Sequence, residues 1–282
     1  MAPPIKRKRP IKKARTRCTG KSFWLLLSLF LFFVVAIGLF KFRDGLLYYL
    51  GFTTDNAVEL SAEERKLADI RIYEVLHKHD EKAIGFDVSE YQSEIDWENT
   101  YNIDESFELS FVFIRATAGT NKLDKRFKAN WKGAHDRQLI CGAYHYYRPN
   151  ENSIAQADNF IKHVHLEKGD LPPVLDIEKL PKTQSIDSLK VGLRRWLKRV
   201  ETHYKVRPII YSGESYYTDF LKKEFKDYPL WIANYNFWRN DLESDWLFWQ
   251  FTEKAQIEGI PGMVDVNIFN GDKNKLLLKC IK

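Results

Sequence analysis

Eight short apolar runs of strand length recur between residues 84 and 269, and stretches with helical periodicity separate most of them. The runs are Ile84–Ser89, Phe111–Thr117, Ile140–Tyr147, Pro173–Glu178, Pro208–Ser212, Leu230–Tyr235, Leu247–Thr252 and Met263–Phe269. Helical patterns fit Asp124–Gln138, Ser153–Val164, Ser185–Tyr204 and Glu214–Lys223. Strands joined through helices pair in parallel, and eight such units close on themselves. The expected fold class is therefore α/β: an irregular TIM-like (β/α) barrel with eight strands and fewer helices, spanning 83–282. The irregularity is expected at the last three runs, where the connections are too short for crossover helices.

The first 82 residues have a different character. Residues 1–22 hold nine Lys or Arg and no Asp or Glu. Phe23 to Phe40 follows as 18 residues interrupted only by Ser28 and Gly38, about 27 Å as a helix and close to the thickness of a bilayer core. The preceding cations favour a cytoplasmic N-terminus, and Lys41 and Arg43 beyond the run are too few to reverse it. Ala36-Ile37-Gly38 resembles a cleavage site only weakly, and secretory signals have shorter apolar cores. The expectation is a basic cytoplasmic arm at 1–22 and a transmembrane signal-anchor helix at 23–41. A juxtamembrane segment and spacer helix at 42–82 would follow. The protein would then be a single-pass membrane protein with its barrel periplasmic or extracellular.

Within 42–82, Ser61-Ala-Glu-Glu64 fits a capping box. The helix it opens should run to about His79, with Leu67, Ile70, Tyr73 and Leu76 at helical spacing. Whether it stands free as a spacer or lies against the barrel is open at this stage.

The net charge of +6 is local to the arm: 35 of the 44 Lys and Arg lie beyond it, against all 38 Asp and Glu. A nucleic-acid-binding domain would carry its positive charge on a folded face, so no nucleic-acid partner is expected. Cys141 and Cys280 would both be exported, where a disulfide is permitted, or both could be buried thiols. His163 and His165 have no carboxylate at metal spacing, so no metal is expected. No Ser or Cys occupies a nucleophile-elbow setting, which argues against triad hydrolysis.

In such a barrel, reactive groups gather at the strand ends. The fourth run ends in Asp176 and Glu178, two apart and so on one face, with Leu175 and Ile177 facing the helices. Two like charges in a confined site oppose each other's ionisation, so one keeps its proton near neutrality. A protonated carboxyl beside an ionised one is what glycoside cleavage requires. Taken alone, the pair could equally cap the next helix or bind Lys179 or Lys182. The other runs shift the balance. Asp87 shares a face with Gly85 and Ser89, Asp265 shares one with Asn267, and first and last strands are neighbours in a closed barrel. Four carboxylates would then converge, which a purely structural role explains poorly. Tyr144, Tyr146, Tyr211, Trp231, Tyr235, Gln250 and Asn267 are candidates for a sugar groove, with some of the aromatics expected in the core.

The stretches GFDVSEYQSEIDW from Gly85, FVFIRATAGT from Phe111, GAYHYYRP from Gly142, LPPVLDIE from Leu171, RPIIYSG from Arg207, LWIANY from Leu230, WQFT from Trp249 and GIPGMVDVNIF from Gly259, with Phe127 and Asn130 on the intervening helix, resemble glycoside hydrolase family 25, the Chalaropsis-type lysozymes. The resemblance covers nearly all of 83–272 and none of the first 82 residues. It implies an N-acetylmuramidase that cuts the β-1,4 bond from N-acetylmuramic acid to N-acetylglucosamine in peptidoglycan glycan strands, without a cofactor; with the expected anchor, it would be a bacterial, membrane-anchored member. It also implies Glu178 as proton donor, Asp176 as its partner, and Asp87 and Asp265 completing an acidic mouth. One departure is Arg115-Ala-Thr-Ala-Gly119, where the family often has Lys-Ala-Thr-Glu-Gly; a carboxylate facing the groove is replaced by the methyl of Ala118. Two other readings stand beside this one: a non-catalytic peptidoglycan-binding barrel, and a hydrolase of another N-acetylated glycan.

Overall fold

The computed structural model describes residues 24, 26–33, 35, 60–104 and 106–282. The chain divides into two compact units, Met1–Asn56 and Ala57–Lys282. In the first, the described residues are helical. The expected arm at 1–22, most of the expected anchor flanks and the juxtamembrane stretch to residue 59 lie outside the described residues. Among the described residues, no helix is long and apolar enough to cross a membrane.

The second unit is a barrel. Its strands are β1 (Ile84–Val88), β2 (Asn102–Ile103), β3 (Phe107–Ala118), β4 (Lys122–Leu123), β5 (Ile140–Tyr146), β6 (Val174–Asp176), β7 (Ile209–Gly213), β8 (Leu230–Ala233), β9 (Phe248–Ala255) and β10 (Val264–Phe269). Eight of them form the ring β1-β10-β9-β8-β7-β6-β5-β3, closed by parallel pairing of β1 with β3. The eight apolar runs are these eight strands. β2 and β4 are short antiparallel additions to β3.

The expected irregularity takes a definite form. β10 is antiparallel to both neighbours, β9 and β1, whereas all other ring pairings are parallel. A short connection cannot return the chain to the opposite end of the sheet, so β10 runs back from where β9 stops. Its beginning, not its end, therefore lies at the rim where the other strands finish.

Alternation along the strands separates two cores. Ile84, Phe86 and Val88, with Leu175, Ile177, Ile210 and Ile232, face outward into the layer beneath the helices. These are α1 (Ala62–Lys78), α2 (Phe127–Asp136), α3 (Ser153–His163), α4 (Ile186–Tyr204), the short α5 (Glu214–Tyr216) and α6 (Lys222–Phe225), and α7 (Lys273–Leu277). A π-helical turn at Tyr217–Leu221 joins α5 to α6.

The barrel interior holds Phe111, Phe113, Val174, Ile209, Trp231, Phe248 and Phe269, closed below by Ala83, Leu171, Leu276 and Cys280. Phe113 stacks on Trp231 at 4.3 Å between centroids, and Phe248 contacts Phe111, Phe113 and Phe269 at 5.1–5.2 Å. Gly85 and Gly142 make room for these rings, because a Cβ at either would fall 2.5 Å from the Phe111 or Phe113 ring. An eight-stranded barrel has space for side chains and little else, so the aromatic plug leaves only the upper rim for chemistry.

α1 lies against β9 rather than standing free. Its capping box forms as the sequence predicts, with the Glu64 amide donating to Ser61 Oγ and the Ser61 amide to Glu64 Oε2. The buried face differs from the predicted stripe: Arg71, Ile72, Val75 and Leu76 are buried, while Leu67, Ile70 and Tyr73 are exposed. Arg71 can be buried because its guanidinium donates to the carbonyls of Phe251, Asn236 and Arg239. Cys141 and Cys280 are both buried free thiols; Cys141 sits in the outer core and Cys280 in the barrel floor, on opposite sides of the sheet.

Candidate active site

Asp176 is the last residue of β6, and its carbonyl accepts from the Tyr147 amide at 2.8 Å, which ties β6 to the end of β5. Leu175 and Ile177 point into the outer core, so the period of two turns Asp176 and Glu178 inward together. Asp176 is buried and Glu178 half-buried above it. The Glu178 charge bears directly on the Asp176 carboxyl, and two like charges this close favour a proton on one of them. Burial, then the Glu178 charge, then that of Asp87, hold the Asp176 carboxyl far above the usual carboxylate range, with Arg115 opposing. Asp176 Oδ1 is buried with no hydrogen-bond partner among the described residues.

Antiparallel pairing sets Asp87 of β1 directly opposite Asp265 of β10. Burial pushes Asp87 up to about 7; hydrogen bonds from Asn267 and Gln250 pull it down, and the Glu178 charge adds to the rise. Asp265 is also held well above its ordinary range, by burial and by the charges of Asp87, Glu253 and Glu178. All four acids therefore interact at one rim, with Asp265 arriving from the start of its strand.

Below them lies a layer of polar side chains. Asp87 Oδ2 accepts from Gln250 Nε2 at 2.7 Å and from Asn267 Nδ2 at 2.8 Å. Trp231 Nε1 donates to Asn267 Oδ1 at 2.7 Å, and Tyr211 and Tyr235 hydroxyls both donate to Gln250 Oε1. Of the residues predicted for the sugar groove, Tyr146 and Tyr235 are half-buried near the rim. Tyr144, Tyr211, Trp231, Gln250 and Asn267 are buried inside the barrel. Burial, followed by the Glu178 and Asp176 charges, raises the Tyr146 hydroxyl, which remains a neutral donor.

Several residues at this rim escape a reading based on acids alone. Arg115, buried on β3, binds Asp124 at 2.9 Å and Glu90 at 3.3 Å, and its guanidinium lies 4.6 Å from the centre of the Tyr91 ring. Glu90 also binds Lys122 and the Lys125 amide. Tyr91 is 66% exposed on a turn fastened by Ser89 and Gln92. Phe237 and Trp238, the latter 81% exposed, follow β8 as an edge-to-face pair. The signal for Arg115 was the same alternation that turned Phe111 and Phe113 inward. The loop aromatics had no period to reveal them. Among the described residues, no group of three or more His, Cys, Asp or Glu is arranged to hold a metal ion.

Comparison with known proteins places this geometry. The profile of a family described as Glycosyl hydrolases family 25 matches residues 86–260, a span that ends before Asp265 and Asn267. Lysozyme M1 of Streptomyces globisporus is 35% identical over 208 residues, covering 68% of this chain and 69% of its own. An uncharacterized Escherichia coli K12 protein, YegX, is 40% identical over 194 residues, covering 68% of this chain and 71% of its own. Among solved structures, the bacterial lysozyme from Streptomyces coelicolor superposes with a TM-score of 0.63 at 31% identity, over 71% of this chain and 97% of that one.

Proposed function

The chain belongs to glycosyl hydrolase family 25, and from that premise we propose that it is a muramidase with Glu178 as its general acid. It hydrolyses the β-1,4 bond between N-acetylmuramic acid and N-acetylglucosamine in peptidoglycan. The observation that carries the residue assignment is the convergence of Asp176 and Glu178 on a rim that also holds Asp87 and Asp265, each bearing on the others' charge. Glu178, the more exposed member, faces substrate and protonates the departing glycosidic oxygen. Asp176 beneath it keeps that proton in the pair and supplies negative charge as the sugar becomes cationic. Asp87 and Asp265 add to the negative field of the mouth.

The closeness of the pair bears on stereochemistry. An inverting pair keeps roughly 6.5–9.5 Å between its carboxyls to admit a water, whereas Asp176 and Glu178 stand two residues apart at one strand end, with the Glu178 charge bearing directly on Asp176. In this reading the substrate's own acetamido group attacks, with Asp176 orienting it, and configuration is retained. An oxazoline-type intermediate or a retained anomer is the expected observation, and clean inversion would exclude the scheme. Zymography on purified peptidoglycan tests the assignment itself. Wild type should clear the wall, and Glu178→Gln should lose at least about 100-fold, the scale of a missing general acid. Equal clearing by both would remove Glu178 from the mechanism.

The anchor belongs to the same proposal. Residues 23–41 are read as an uncleaved membrane span with the basic arm in the cytoplasm, on the strength of an 18-residue apolar run behind nine cations. The barrel then works on the wall side of that membrane.

A further inference from the structure

Asn267 is completely buried, and the group facing its carbonyl oxygen is the indole N–H of Trp231. An indole nitrogen only donates. Turning the Asn267 amide over would set its NH2 against that N–H, so the side chain has one orientation, with NH2 toward Asp87. Gln250 is held in the same sense. Two phenol hydroxyls, Tyr211 and Tyr235, donate to its oxygen, and its NH2 also points at Asp87 Oδ2. Two N–H donors therefore meet on one oxygen of a buried carboxyl, and the Asn267 donor cannot be exchanged for an acceptor because the group behind it is an indole N–H.

We infer that Gln250 and Asn267, the latter locked by Trp231, are positioning residues that aim two N–H donors at Asp87 Oδ2 and oppose a proton on that carboxyl within the acidic mouth. A proton on Asp87 Oδ2 would face the two N–H groups that this oxygen accepts from. Asp87 is surrounded on every side by groups that bear on it. Asp265 of β10 pairs across from it, Asp176 and Glu178 approach from β6, and Tyr144 from β5 and Arg115 from β3 lie within electrostatic reach of the cluster. Glu253 adds its charge at Asp265. The Glu178 charge favours a proton on Asp87, and the donors aimed at its oxygen oppose it. The catalytic meaning of this arrangement rests on the muramidase reading; the location of the proton does not.

The test is a titration of the Asp87 carboxyl by 13C NMR on the full-length chain solubilised in detergent, its signal identified by its loss in Asp87→Asn. Asn267→Leu removes one donor and should raise the Asp87 midpoint by about one unit, the usual scale for a lost hydrogen bond to a charged form. Trp231→Phe removes the N–H while keeping one aromatic ring against Phe113, at the cost of a gap where the second ring stood. It frees the Asn267 amide to turn, and should move the same midpoint in the same direction without touching Asp87. In both variants the acid limb of the kcat/KM profile on peptidoglycan should rise with it, while KM changes little. An Asp87 midpoint unmoved in folded Trp231→Phe and Asn267→Leu would overturn the inference. A wild type that leaves peptidoglycan intact, with the midpoint shifting as described, would overturn the muramidase reading alone.

Discussion

Asp87 carries a stability cost that its position in the mouth imposes. Its carboxyl is raised from 3.8 to about 7 in the folded chain, first by burial and with the Glu178 charge adding. Between those two values the native state binds more protons than the unfolded one, so stability falls as pH rises through this window. The cost is absent below about pH 4 and complete above about pH 7, where it is on the order of a few kcal/mol. Asp87→Asn should therefore melt higher than wild type at pH 8, and the gap should close as the pH is lowered toward 3.5. A gap that persists or widens in acid would mean the carboxyl is not under this strain. At this scale the sequence was a good guide to which acids face inward, because alternation along Phe86-Asp87-Val88 and Leu175-Asp176-Ile177 is a property of the extended backbone. It was a poor guide to depth. Tyr144, Tyr211 and Trp231 share the inward face with the acids, yet they lie buried below the mouth, and Gln250 and Asn267 are aimed at Asp87. Whether an inward side chain meets solvent depends on how far up the barrel its strand is staggered, and neighbouring strands set that.

Among the elements, α1 shows where a local pattern misleads. Leu67, Ile70 and Tyr73 have helical spacing and are exposed, while the cation Arg71 is buried. β9 has no crossover helix on either side, and α1 covers its outer surface, with His79 edge-on to Trp249 and Arg71 bonded to the Phe251 carbonyl and to the chain after β8. Removing that guanidinium leaves three carbonyls without their donor and opens a gap in the layer. Arg71→Ala should lower the unfolding free energy by about 2–4 kcal/mol, from the lost charge-assisted bonds and the lost packing of the stem. Urea unfolding at unchanged slope would measure it, and a wild-type midpoint would show that the helix is not docked. The capping box at Ser61 and Glu64 was legible because it is written in four consecutive residues. The helix's orientation was not, because the carbonyls that accept from Arg71 lie more than 160 residues away.

For the whole molecule, an apolar run behind a cationic arm makes a statement about location that can be checked apart from catalysis. If residues 23–41 span a bilayer with the arm inside, the full-length chain should stay with membranes through an alkaline carbonate wash, and a reporter fused after Lys282 should be active only on the non-cytoplasmic side. A chain released by the wash, or a reporter active in the cytoplasm, would remove the anchor and with it the placement of the mouth. Replacing the arm's cations with neutral residues should weaken the orientation, since Lys and Arg beside the span set it.

The linear order of residues was enough to establish eight strands with helices between most of them, the inward faces of those strands, and the four acids those faces present. These depend on periods of 2 and 3.6 and on short motifs, and both act between near neighbours. Three things were settled only by closure of the ring. Antiparallel β10 brings Asp265 to the mouth by its first residues, and the stagger of the strands places an aromatic plug below the acids. The outer surface of β9 selects which face of α1 is buried. Each is a contact between residues far apart in the chain, and register between distant strands follows from how the sheet pairs and tilts as it closes rather than from the pattern within any one strand.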